Sequence, residues 1–199
     1  MEALKLLDAG ARPPLVAGQA LLWRHDLPRA RDREQAHALL RNVLADYLGC
    51  LPGAVPLRCE PGRAPYLEGR PDLSLSLSYA DRLVILGCCP GKAHGIDLVR
   101  IAHLPDWRDV AETFFPPAIG LELASLAPRE RDIGFALHWS TLEARSKCLG
   151  HDLQEYSPAR DRLLNAKDIE CATATDMPFG YCLALAMKDA PTTQKDQRN

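Results

Sequence analysis

The stretch LSLSLSYADRLVILGCC (73–89) constrains the fold more than any other part of the chain. Its first seven residues alternate apolar and polar, with Leu73, Leu75 and Leu77 against Ser74, Ser76 and Ser78. A period of two keeps the leucines on one side of a strand, whereas a helix would scatter them around its circumference. Residues 73–79 therefore predict a half-buried strand. After a turn at Ala80–Asp81, residues 82–89 are almost continuously apolar and predict a second strand, so 73–89 reads as a hairpin.

Helical periodicity lies on both sides of it. In residues 31–49, Ala36, Leu39, Leu40, Val43, Leu44, Tyr47 and Leu48 recur at spacings of three and four, and Gly49 ends the pattern. The connector 60–72 is rich in proline and glycine and reads as turns. Residues 90–95 read as another turn and 95–101 as a short strand, followed by two helices within 106–126 broken at Pro116–Pro117. Residues 128–150 predict a long helix with Ile133, Phe135, Ala136, Trp139, Leu142 and Ser146 on its apolar side and Gly150 at its end. Strand and loop are expected over 160–174, and an apolar closing strand over 179–188. Two rounds of helix followed by antiparallel strands predict an α+β fold of two similar halves, although no sequence repeat relates them. The expected division is 1–94 for an N-terminal half, 95–190 for a C-terminal half and 191–199 for a polar tail.

Bulk properties narrow the function. The chain has 199 residues, 47% hydrophobic and 25% charged, as in a soluble globular protein. A net charge of −2 supplies no global field for nucleic acid. The N-terminal residues carry an early acid and no long apolar core, so they do not read as a signal peptide. No run approaches the roughly 20 apolar residues of a membrane span. Seven cysteines, an odd number without a CxxC pair, read as reduced, buried thiols of a cytoplasmic protein rather than as disulfides or a zinc site.

Three stretches carry possible chemistry. Glu143 and Lys147 lie four residues apart in HWSTLEARSKCLG (138–150), a spacing that alone is ordinary helix decoration. Asp97 follows Gly95-Ile96, 46 residues before Glu143. Ser78 and Tyr79 close the alternating strand. Arg24, His25, Arg29, Arg31 and Arg33 form a basic cluster, and His37 lies on the helix after it.

In order and spacing these stretches resemble the 4′-phosphopantetheinyl transferases of the surfactin-synthetase-activating type. That family carries G-[IV]-D, then some forty-odd residues later W-[SCT]-x-K-E-[AS]-x-x-K. Gly95-Ile96-Asp97 matches the first motif, and Trp139 to Lys147 matches the second at every defined position but Leu142. Gly62-Arg63-Ala64-Pro65 and Ser78-Tyr79-Ala80 stand where the family has a G-[KR]-P-like turn and an S-H-S-like strand end. The resemblance covers roughly residues 20–190.

It implies two halves in one monomeric chain with a ligand cleft between them. It also implies transfer of phosphopantetheine from coenzyme A to a serine of an acyl or peptidyl carrier protein, with release of 3′,5′-ADP. The carrier could serve fatty acid, polyketide or nonribosomal peptide synthesis. Asp97 and Glu143 would hold magnesium, a hard ion suited to carboxylates and phosphate oxygens. Glu143, or a metal-bound water beside it, would take the serine proton, and Lys147 would meet the pyrophosphate. Arg63, Ser78, Tyr79, Arg24 and His37 would contact coenzyme A. Phe114, Phe115 and Arg108 are candidates for carrier docking, and Trp139 for the packing anchor beneath the site.

Three positions depart from the family pattern. Leu142 replaces a lysine and is expected to have joined the core. Tyr79 replaces a histidine and brings no positive charge. Val99 stands where many members carry a second acid, a loss that water in a magnesium shell can cover.

Overall fold

The computed structural model describes residues 4–30, 32–60, 62–177 and 180–189; Arg31, Phe179 and the expected polar tail lie outside the described residues. The chain opens with β1 (Leu6–Leu7), β2 (Leu21–Asp26) and helix α1 (Arg33–Leu48). Short strands β3 (Leu57–Arg58) and β4 (Tyr66–Leu67) precede the hairpin β5 (Leu73–Ala80) and β6 (Leu83–Pro90). Then come β7 (Lys92–Arg100), α2 (Trp107–Phe114), α3 (Pro117–Ser125) and α4 (Pro128–Cys148). Helix α5 (Pro158–Leu164) and the hairpin β8 (Ile169–Met177) and β9 (Tyr181–Asp189) complete it.

The fold is mixed α+β. One sheet has the order β1-β2-β6-β5 and a second the order β7-β9-β8, while β3 and β4 pair alone. The run strand, helix, hairpin occurs as β2-α1-β5-β6 and again as β7-α4-β8-β9. In each case the last strand lies in the centre, antiparallel to both neighbours.

Local chemistry explains the elements that the sequence predicts. Asp32 caps α1 by accepting the Gln35 N–H, and Gly49 ends it in the left-handed region at φ 62°. Three features differ from expectation. Strand β2 precedes α1, because Trp23 and Leu22 are buried in two different apolar clusters on its opposite sides. Strand β7 runs unbroken from Lys92, so the expected turn at 90–95 reduces to Gly91 at φ 75° and the 94/95 division falls inside a strand. Helix α5 occupies part of the expected 160–174 strand and loop; Ser157 caps it and Pro158 opens it, a start signal present in the sequence.

Helix α4 has two working faces rather than one. Ala136, Ser140, Ala144 and Cys148 form a buried row of small residues four apart. Ala144 and Cys148 pack on Ile169, Ala184 and Ala186 of the second sheet. Phe135, Trp139 and Leu142 lie on the other flank, against Trp107, Ala111, Phe115 and Leu123.

The serine side of β5 joins the two sheets. Ser74, Ser76 and Ser78 accept hydrogen bonds from the backbone N–H groups of His94, Ile96 and Leu98 at 3.2, 3.0 and 3.0 Å. Strands β5 and β7 therefore run in the same direction, and side-chain hydroxyls satisfy the open edge of β7 in place of a main-chain ladder. The leucine side of β5 faces the core beneath α1.

His94 is buried in this seam beside Ser74, and burial holds its imidazole pKa down at about 4. An unfolded histidine titrates near 6.5, so the unfolded chain takes up a proton that the folded chain refuses. The stability is complete above about pH 6.5 and falls as the pH drops toward 4, by about 2–3 kcal/mol. Urea unfolding from pH 7 to pH 4.5 measures this, and His94→Gln should flatten the decline. An undiminished decline in that variant would assign the effect to other groups.

Candidate active site

A cavity of about 730 Å³ lies where β5, β7 and α4 meet. Strand alternation and helix pitch together bring its chemistry into place. Gly95 and Asp97 are two residues apart on β7 and so share the side facing α4. A side-chain carbon at Gly95 would collide with the Ala144 carbonyl oxygen and the Cys148 amide nitrogen, and would lie 2.8 Å from Lys147 Cβ. Glycine thus lets the helix backbone settle on the strand, and Asp97 meets Glu143 and Lys147 one turn apart on α4.

Lys147 Nζ donates to Asp97 Oδ1 at 2.6 Å and to the Ile96 carbonyl at 3.1 Å, and lies 3.6 Å from Glu143 Oε2. It sits in the last turn of α4, where a cation also suits the helix dipole. The Asp97 side chain is only 6% exposed, and Ser78 Oγ donates to the same Oδ1 at 3.0 Å. Burial, and then repulsion from Asp97, raises the Glu143 carboxyl above its ordinary range, while Lys147 and the Trp139 indole offset part of the rise. A carboxylate raised in this way is a stronger base toward a hydroxyl proton than an ordinary glutamate.

The other expected site residues divide. His37, Arg63, Ser78 and Tyr79 line the same cavity as Asp97, Glu143 and Lys147. Burial, and then the charges of Arg33 and Arg41, hold the His37 pKa down. Arg63 is exposed and pairs with Glu60 at 3.2 Å. Arg24 lies on β2, away from the lining, whereas Arg33 of the same basic cluster contributes to it. Phe115 is 2% exposed and belongs to the core, and Arg108 lies over the Trp107 ring at 4.6 Å. Trp139 packs edge-on against Phe114 at 5.4 Å and also lines the cavity. Val99 lines it without an acid, and Leu142 packs into the apolar cluster below α2 and α3.

His151, Asp152 and Leu153 line the cavity without having stood out in the sequence. The available signal was positional: they follow directly on the turn that carries Lys147. Among the described residues, no three or more His, Cys, Asp or Glu side chains gather into a metal-binding group. The donor set is instead Asp97 and Glu143 beside an open cavity. Two hard oxygen ligands suit magnesium, which completes its shell with substrate phosphates and water. All seven cysteines are free, and burial pushes the thiols of Cys88, Cys89 and Cys148 up to about 12, 11 and 11. They remain protonated and unreactive at neutral pH. No described helix is long and apolar enough to cross a membrane.

The chain is 28% identical over 216 residues to the L-aminoadipate-semialdehyde dehydrogenase-phosphopantetheinyl transferase of Eremothecium gossypii, covering 96% of this chain and 75% of that protein. It is 28% identical over 155 residues to the 4′-phosphopantetheinyl transferase HetI of Nostoc sp., covering 76% of this chain and 65% of that one. No family model matches the chain.

Proposed function

We propose that this chain, which belongs to the phosphopantetheinyl transferase superfamily, moves 4′-phosphopantetheine from coenzyme A to a serine of an acyl or peptidyl carrier protein. The observation that carries this reading is the meeting of Asp97, Glu143 and Lys147 in one cavity. The serine oxygen attacks the β-phosphorus of coenzyme A, the bond to the bridging pyrophosphate oxygen breaks, and 3′,5′-ADP leaves with the electron pair. Glu143 is placed to accept the serine proton. Lys147 turns its ammonium to the pyrophosphate oxygens as negative charge gathers there. Magnesium, when bound by Asp97 and Glu143, supplies further neutralisation of those oxygens.

Arg33 and Arg63 line the same cavity and form its positive side toward the coenzyme A phosphates, with His37 beside them as an uncharged hydrogen-bonding group. Tyr79 offers a phenol where the family has histidine, so it contributes a hydrogen bond and no charge. We read the chain as two similar halves, a reading supported by the recurrence of strand, helix and hairpin. The coenzyme lies between them and the chain acts as a cytoplasmic monomer. The division belongs at Gly91 rather than at 94/95, because β7 is one continuous strand.

The test is incubation of the protein with magnesium, coenzyme A and apo carrier proteins from fatty acid, polyketide and nonribosomal peptide synthesis. Intact-mass measurement should show one phosphopantetheinyl group added to at least one carrier. Failure with all of them would overturn the transferase reading. Coenzyme A binding in those same samples would then favour a binding protein that has lost catalysis, a reading to which Tyr79, Leu142 and Val99 lend some support.

A further inference from the structure

We propose that Ser78 acts as a positioning residue for Asp97 rather than as a contact to coenzyme A; the inference rests on the transferase reading above. A serine hydroxyl has one proton to donate and two lone pairs with which to accept. The Ser78 proton goes to Asp97 Oδ1 at 3.0 Å, and one lone pair takes the Leu98 N–H at 3.0 Å. The Lys147 ammonium approaches the Ser78 Oγ at 3.5 Å, on the side of its second lone pair. Ser78 is 6% exposed and Asp97 4%, so this network forms a largely buried part of the cavity wall. No donor remains on Ser78 for a nucleotide.

The bonds from Ser78 and Lys147 both fall on Oδ1. Among the described residues, Asp97 Oδ2 has no such partner and is the oxygen left to face a cation. Ser78 is itself fixed by the seam between β5 and β7, so the carboxylate orientation is tied to the joint between the two sheets. Ser74 makes the same kind of seam bond, to the His94 N–H at 3.2 Å, without touching Asp97 and without lining the cavity.

Manganese binding measured by electron paramagnetic resonance, coenzyme A binding by calorimetry and thermal unfolding together test the assignment on the full chain. Removal of a hydrogen-bond partner behind a metal ligand typically costs about 10–100-fold in metal affinity. Ser78→Ala should therefore weaken manganese binding about tenfold or more and change coenzyme A affinity by less than about twofold. Ser78→Thr, which keeps the hydroxyl, should restore the metal affinity. Ser74→Ala should lower thermal stability and leave manganese binding unchanged. Weaker coenzyme A binding in Ser78→Ala with wild-type manganese affinity would overturn the assignment and make Ser78 a coenzyme contact. A lower unfolding temperature with both affinities intact would reduce it to a structural residue, which also overturns the proposal. These outcomes leave the transferase reading standing, whereas a wild-type protein that neither binds the cation nor modifies any carrier removes both.

Discussion

Replacing Glu143 with glutamine should slow phosphopantetheine transfer by about 10²–10⁴-fold, the range associated with a positioned proton acceptor, while the protein stays folded. The side chain keeps its shape and loses the charge. Folding already disfavours that charge, since burial and Asp97 both raise the Glu143 pKa. The unfolding temperature of the variant should therefore equal or exceed that of the wild type, a stability gain at the expense of activity. Asp97→Ala should abolish transfer as well, with a different stability signature. Asp97 is buried and bonded to both Ser78 and Lys147, so its loss strands their polar groups and costs about 3 kcal/mol. Near-normal turnover in Glu143→Gln would remove Glu143 from the mechanism.

Gly95→Ala should lower the unfolding temperature by about 10 °C and eliminate transfer. The added carbon collides with the backbone of α4 at Ala144 and Cys148, so no rotamer change can relieve it. Overpacking costs typically 1–3 kcal/mol where side chains can shift, and a clash with helix backbone belongs at or above the upper end. At about 2–4 °C per kcal/mol for a chain of this size, the shift is about 10 °C. Relief requires α4 to lift from β7, which draws Glu143 and Lys147 away from Asp97. Gly120→Ala is the contrasting case: it lies in α3 with nothing within 4 Å of a new Cβ, and should stabilise by about 0.5–1 kcal/mol. Comparable unfolding temperatures for the two variants would refute the close-approach role of Gly95.

The strands and helices that the sequence announced were those with a clean local period. The alternation at 73–79 and the three-and-four spacing at 33–48 needed no tertiary information to be read. Strand β2 (LLWRHD) was not anticipated, because six residues with an apolar start and a polar end show neither period clearly. Helix α5 is a single short segment of seven residues, so its Ser-Pro start is a weak signal beside the longer strand and loop expected over 160–174. The apolar side assigned to α4 mixed residues from two faces, since a helix packed on both a sheet and a second helix layer has no single stripe.

The sequence by itself determined the α+β class, the hairpin 73–89, the long helix carrying Glu143 and Lys147, and the spacing that ties them to Asp97. Those features follow from periodicity and motif order, which are properties of neighbours along the chain. Tertiary structure decided what the residues do. It turned three serines from a polar strand face into the seam between two sheets, and gave the Ser78 proton to Asp97. It buried Phe115, left Arg24 outside the cavity and brought Arg33 and His151 to it. The physical reason lies at one contact: a strand without a side chain at Gly95 meets a helix row of small residues. That approach places two carboxylates 46 residues apart in the chain around a single ammonium group.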